Sequence, residues 1–257
     1  MTVTIINDCR DPNALGRQSI RASALLQSPI SCIGVDSDLE ASGNLIDAID
    51  ALDGNEGVIL VNVAPRNGVA KRRPNGSPFG YAWNGNVLVL ATLDGFTLSL
   101  VKKFDIRSPL HEFDVERASR EVTGSANAAA FIAESQFRSF DFLPRMAAYL
   151  LRHKHAAGTP LSWEAIPDAP HAVWWVDNFG NCKTTITSDE LALMPGASLS
   201  TRHGPLAFIP ALRNVPDNKT ALITGSSGLG RKRFLEIVMQ GGNAARHLNI
   251  ASGDTLW

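Results

Sequence analysis

Residues 58–63, Val-Ile-Leu-Val-Asn-Val, constrain the fold more than any other stretch of the chain. A short, nearly all-aliphatic run without polar alternation reads as a strand buried on both faces. Such a strand needs helices above and below it, the arrangement of a mostly parallel α/β sheet. The preceding residues agree. Residues 2–6 are a β-branched apolar run ending in Asn7-Asp8, and 13–26 carry Leu15, Ile20, Ala24 and Leu25 near helical spacing until Ser28-Pro29 stops them. Residues 30–35 form a second apolar run ending in Asp36-Ser37-Asp38, and 43–52 place Leu45, Ile46, Ile49 and Leu52 on one helical face. Strand, helix, strand, helix, strand is the α/β signature, and ligands of such sheets bind at the carboxyl ends of the strands. Asp8 and the Asp36-Ser37-Asp38 tip are therefore well placed.

After this strand, residues 64–73 form a Pro/Gly loop ending in Lys71-Arg72-Arg73, which suits an anionic group or simply a solvated surface. Asn84-Gly85-Asn86 turns into another buried strand over 87–91, followed by Leu93-Asp94-Gly95. Residues 125–134 and 141–153 read as helices, the second with Phe142, Met146, Tyr149 and Leu150 on one face. The segment 155–171 holds Pro160, Pro167 and Pro170 with little periodicity and reads as a linker. Beyond it, apolar runs at 172–177, 182–187, 207–209, 221–224 and 234–239 are short and closely spaced. That spacing predicts a small all-β, barrel-like domain. The expected organisation is thus an α/β domain over 1–154 with a mostly parallel central sheet, a linker over 155–171, and a β domain over 172–257.

The formal net charge of −1 gives no electrostatic reason to bind nucleic acid or an anionic membrane. No apolar run reaches the length of a membrane span, and Met-Thr-Val-Thr-Ile-Ile-Asn-Asp is not laid out like a signal peptide, so a cytoplasmic location is expected. Cys9, Cys32 and Cys182 are odd in number and far apart, which argues against a disulfide framework or a zinc knuckle. The histidines form neither HExxH nor a dense cluster, so no metal is expected.

Chemistry concentrates at Val173–Ile186, V-W-W-V-D-N-F-G-N-C-K-T-T-I, which reads as strand, tight polar turn, strand. Taken alone, such a turn is an ordinary hairpin signal with a packed Phe. It also offers a carboxylate, an aromatic face and an amide within five residues, a set suited to a heteroaromatic ring and a nearby ammonium. Two motifs fail on spacing. Thr224-Gly225-Ser226-Ser227-Gly228-Leu229-Gly230 is one residue short of a short-chain dehydrogenase turn, and it sits too near the C-terminus to open a nucleotide-binding fold. Read as a P-loop, the same stretch puts Arg231 where Lys belongs and Lys232 where Ser or Thr belongs.

The stretch V-D-N-F-G-N-C-K-T-T-I resembles the V-D-x-F-G-N-x-x-T-N-I of the S-adenosylmethionine (SAM) hydroxide adenosyltransferases, or SAM hydrolases, whose relatives include the SAM-dependent fluorinase and chlorinase. Gly225-Ser226-Ser227-Gly228, Leu235-Glu236-Ile237 and Gly242-Asn243-Ala244-Ala245 resemble that family's G-S-S-G, L-E-I-A and G-S-A-A. In the N-terminal half, Val63-Ala64-Pro65-Arg66-Asn67-Gly68 looks like V-D-P-G-V-G, and residues 136–141, Q-F-R-S-F-D, look like T-F-H-G-R-D.

The resemblance implies a family fold of α/β domain plus small β-barrel domain, assembled as a homotrimer with sites between neighbouring subunits, and SAM as substrate with no cofactor. It implies that Asp177, Ser226 and Ser227 hold the ends of the methionine portion, that Phe179, Asn181, Asn243 and the backbone at Ala244 frame adenine, and that Asp8 takes the ribose hydroxyls. The catalytic positions would fall at Asn67, Arg72, Arg138 and Ser139, with Phe137 and Ser139 similar to the fluorinase F-x-S. The chain departs from the hydrolase pattern in two places, since Ala64 stands at the Asp position and Arg138 at the His position. The implied reaction is cleavage of SAM at its 5′ carbon by water or hydroxide to adenosine and L-methionine. The alternatives are halogenase-like transfer to halide or another anion, and a catalytically inactive SAM- or adenosine-binding trimer.

Overall fold

The computed structural model describes residues 1–64, 76–106, 108–191 and 193–257. They fall into two compact units, Met1–Pro167 and Asp168–Trp257.

In the first unit, β1 (Thr2–Asn7), α1 (Pro12–Leu26), β2 (Ile30–Gly34), α2 (Asp38–Ala51) and β3 (Gly57–Asn62) follow one another. They are continued by β4 (Phe79–Asn84), β5 (Val87–Thr92), α3 (Ser99–Lys103), β6 (Leu110–Phe113), α4 (Val115–Thr123), α5 (Ala126–Ala133), α6 (Arg138–Asp141), α7 (Leu143–His153) and β7 (Gly158–Leu161). The strands make one seven-stranded sheet in the order β2-β1-β3-β5-β4-β6-β7. β2, β1, β3 and β5 are parallel, and β4, β6 and β7 extend the sheet antiparallel. β3 is buried along Gly57–Val61, as its aliphatic run requires. Val3, Ile5, Val58, Leu60, Leu88 and Leu90 belong to one core with Phe142, Met146, Ala147 and Leu150 at α7.

Helices α1 and α2 begin with well-formed caps. Asp11 accepts from Asn13 N–H and Ala14 N–H at 3.0 Å, with Pro12 in the first turn of α1. Ser37 accepts from Glu40 N–H at 3.1 Å while Glu40 Oε2 accepts from Asp36 N–H at 2.6 Å, a near relative of the capping box. Register then aligns the strand ends, because Asn7 lies opposite both Gly34 of β2 and Asn62 of β3, and Val61 lies opposite Ala91 of β5.

Two expectations change in this unit. The β4–β5 hairpin turns at Gly85 (φ 56) and Asn86, so residues 79–84, not expected as a strand, pair with the run that was. The segment 155–171 is not a free linker. Its residues 158–161 are β7, paired with β6, and the chain beyond is tied down by bonds from Trp163 Nε1 to the Ser108 carbonyl and from Lys102 Nζ to the Ile166 carbonyl, both 2.8 Å. Proline suits an edge strand, where one flank needs no N–H donor, so Pro160 is compatible with β7, while Pro167 and Pro170 lie beyond it.

The second unit comprises β8 (Val173–Val176), β9 (Cys182–Thr187), β10 (Ser198–Thr201), β11 (Gly204–Ala207), β12 (Thr220–Leu229), β13 (Lys232–Met239) and α8 (Ala244–Leu248). It contains an antiparallel sheet in the order β12-β13-β9-β8 and a separate β10–β11 hairpin, linked by one bridge between Phe208 and Leu222. The strand expected at 207–209 lies slightly earlier, as β11. Val173, Cys182, Ile186, Leu222, Leu235, Ile237 and Leu256 form its core. No helix among the described residues is long and apolar enough to cross a membrane.

Candidate functional site

The aligned carboxyl ends of β1, β2, β3 and β5 enclose a cavity of about 420 Å³ lined by Asp8, Asp36, Asp38, Ala64, Asp94 and Gly95, among others. Each carboxylate is there for a local reason. Asp8 follows β1 directly, and its Oδ2 accepts from Ala64 N–H at 3.2 Å, which ties the ends of β1 and β3 together. Asp36 pairs with Arg10 at 2.6 Å on the exposed rim. Asp38 accepts from Leu39 N–H and, through Oδ2, from Phe96 N–H, each at 2.8 Å. Beneath them, buried Asn7 accepts from Cys9 N–H and Asn62 Nδ2, each at 3.0 Å. Carboxylates concentrated at a concave site attract a cation and accept from hydroxyls. Among the described residues, no group of His, Cys, Asp and Glu is arranged to hold a metal ion.

Of the residues expected to act catalytically, Asn67 and Arg72 lie outside the described residues, as do Arg66 and Arg73. Arg138 is engaged by the fold. Its Nη2 donates to the Ser77 carbonyl at 2.6 Å, its guanidinium lies 5.2 Å from the Phe79 ring centre, and burial lowers its pKa. Gly76, with φ 70, leaves room for it, since a Cβ there would meet Nη2 at 2.8 Å. Ser139 is buried in α6. Phe137 stacks on Phe140 with ring centres 5.5 Å apart, and Arg17 and Arg21 of α1 cover this pair, Arg21 at 4.0 Å from the Phe140 centre. Asp141 anchors the same corner by accepting from Ser135 Oγ at 2.5 Å and Arg21 Nη1 at 3.3 Å.

In the second unit the turn between β8 and β9 is organised by one side chain. Asp177 Oδ1 accepts from Phe179 N–H and Asn181 N–H, both at 2.9 Å, and its Oδ2 accepts from Asn181 Nδ2 at 3.0 Å. Phe179 is held out at 70% exposure, a position suited to stacking on another flat group. Gly180 sits at φ 85 against Asn243, where a Cβ would lie 2.1 Å from Cγ, so no other residue fits. Asn243 caps α8 by accepting from Arg246 N–H at 2.7 Å, and Ala245 N–H donates to the Gly180 carbonyl at 2.9 Å. Asp177, Phe179, Asn181, Asn243 and Ala244 are thereby brought to one corner of this unit. Burial, with Asp177 and Asp254 nearby, pushes the adjacent Cys182 thiol up to about 12, so it stays protonated.

Ser226 and Ser227 occupy an irregularity of β12 between Thr224 and Gly228. Ser226 is exposed and its carbonyl accepts from Arg233 Nη1 at 2.9 Å. Ser227 is buried, and Lys183 Nζ donates to its Oγ. Sequence reasoning noted the acidic tips at Asp36, Asp38 and Asp94 without assigning them a role, and it passed over Lys183, whose only sequence signal is a charge inside a β-branched strand.

Residues 171–257 match the family model described as the SAM hydroxide adenosyltransferase C-terminal domain. Among solved structures, the chain is similar to an uncharacterized conserved protein from Thermotoga maritima, with 22% identity, 98% of each chain covered and a TM-score of 0.71. It is also similar to a conserved hypothetical protein from Thermus thermophilus, with 20% identity, 100% of this chain and 99% of that one covered, and a TM-score of 0.58. No curated protein matches. The two structures share the fold over essentially the full chain, and the domain matched to the SAM hydroxide adenosyltransferase C-terminal model spans nearly all of the second unit.

Proposed function

We propose that the protein cleaves S-adenosylmethionine at the 5′ carbon, giving adenosine and L-methionine, with water or hydroxide as nucleophile. The observation that carries this reading is the carboxylate-lined cavity of about 420 Å³ at the ends of the parallel strands. SAM is a sulfonium cation, which such a lining favours, whereas both products have lost that charge. Asp8 takes the ribose hydroxyls, since an ionised carboxylate is a strong double acceptor. Asp177 receives the ammonium of the methionine portion, Ser226 and Ser227 its carboxylate, and Phe179, Asn181 and the start of α8 the adenine. The water oxygen forms a bond to C5′ as the C5′–S bond breaks, its electron pair remaining on sulfur as the neutral thioether and the water's proton passing to solvent. SAM is already an activated electrophile, so in-line positioning and exclusion of other water supply much of the rate. The reaction uses no metal and no cofactor, and the working assembly is a homotrimer.

One observation favours a second reading, binding without turnover. Ala64 contributes only a methyl group to the cavity wall, and the Arg138 guanidinium is committed to Ser77 and Phe79. Base assistance is typically worth about 100- to 10,000-fold, and neither residue supplies it.

Incubating the full chain with SAM in chloride and in halide-free buffer, with and without a chelator, and following products by mass, decides between these. Adenosine and methionine in equal yield under all conditions are expected. A chloride-dependent halogenated adenosine would instead mean halide transfer. Intact SAM together with a raised melting temperature would mean a binding protein. Light scattering checks the trimer.

A further inference from the structure

Ser227 is only 4% exposed, and Lys183 Nζ donates to its Oγ. An ammonium has three donors and no acceptor, so Oγ is the acceptor in this contact and its own hydroxyl proton must be directed elsewhere. Among the described residues no hydrogen bond takes up that proton. A buried hydroxyl with an unused donor is a cost that folded proteins seldom carry, and a ligand acceptor removes it.

The arrangement is built by the sheet. Lys183 lies on β9 opposite Glu236 of β13, and β13 separates β9 from β12, so the lysine reaches across a whole strand to Ser227. Its ammonium passes 5.4 Å from the Trp174 ring centre. Glycines on either side let the serines take this position. A Cβ on Gly225 would meet Glu236 Oε1 at 2.4 Å, and Gly228, at φ 134, would meet the Lys232 carbonyl oxygen at 2.4 Å. Lys183 occupies a variable position of V-D-x-F-G-N-x-x-T-N-I, so it is a feature of this chain and not of the motif.

We infer that Lys183 is a positioning residue that makes the Ser227 hydroxyl an obligate donor, and that the acceptor it serves is the carboxylate of a ligand's amino-acid end. The ammonium beside Ser227 favours an anion there, and the Asp177 carboxylate of the same unit suits the ligand's ammonium. The consequence is selectivity for adenosyl compounds that keep the carboxylate. This rests on the reading that the second unit holds the methionine portion.

The test is calorimetric titration of the full chain with SAM, decarboxylated SAM and adenosine. Wild type is expected to prefer SAM over decarboxylated SAM by roughly 10- to 100-fold, the usual size of one charge-assisted hydrogen bond. Lys183→Met should remove that preference while leaving adenosine and decarboxylated SAM within about twofold of wild type, and Lys183→Arg, also a pure donor, should retain it. Equal weakening of all three ligands by Lys183→Met would overturn the inference, since a merely structural lysine would act that way. So would a wild type that binds adenosine and both sulfonium compounds without preference, a result that leaves the adenosyl reading intact. Should Lys183→Met fail to fold, Ser227→Ala decides: an unchanged preference sinks the idea, and a lost one supports it. A wild type that binds none of the three refutes the adenosyl reading, and the inference with it.

Discussion

The Arg138 side chain shows how partners, not residue type, decide a role. By resemblance it stands where the family's hydrolases carry a catalytic histidine. Here its guanidinium donates to the Ser77 carbonyl at 2.6 Å and lies over the Phe79 ring. A half-buried charge with a short backbone bond and an aromatic lid is placed to hold the chain at Ser77. Arg138→Met is therefore expected to lower unfolding free energy by about 2–3 kcal/mol, the range for a charge-assisted hydrogen bond with its cation–π contact. Urea denaturation measures it. If instead the midpoint is unchanged and only turnover falls, the arginine works in the reaction and not in the fold.

At the scale of elements, the cavity depends on how α2 and the segment after β5 meet. Asp38 opens α2 and its Oδ2 accepts from Phe96 N–H at 2.8 Å. Gly95 makes this possible, because it lies at φ 61 and a Cβ there would sit 1.9 Å from that oxygen. Both the left-handed backbone and the close approach exclude any side chain. Gly95→Ala should cost about 2–4 kcal/mol, from strain plus the displaced Asp38 bond, and weaken ligand binding at the same time. A thermal melt with and without SAM reads both effects. A fully stable Gly95→Ala protein with normal binding would show that the Asp38–Phe96 contact does not shape the cavity.

For the whole molecule, the first unit ends at Pro167, with β7 completing the sheet against β6. Stopping the chain at 154 removes β7, leaves β6 paired only with β4 and exposes its outer edge, and takes away Ala157, whose N–H donates to Glu121 at 2.8 Å. A fragment of residues 1–167 is expected to unfold cooperatively in urea, and a fragment of residues 1–154 to be less stable by several kcal/mol or to lose cooperativity. Equal midpoints for the two fragments would contradict the assignment of β7 to the unit's core structure.

The sequence by itself determined the α/β class of the first unit, because aliphatic strands and amphipathic helices are local patterns whose burial admits one kind of layering. It also marked the Asp177–Asn181 turn, whose hydrogen bonds run between near neighbours, and the carboxylates at strand tips. Only the tertiary structure decided what depends on distant partners. Residues 158–161 join β6 because their partner strand lies some fifty residues earlier, beyond any periodicity a reader could see. Arg138 meets Ser77 across 61 positions, and Lys183 meets Ser227 across 44, and neither pairing leaves a trace in spacing or composition. Side-chain roles of that kind are set by sheet order and register, which long-range burial selects.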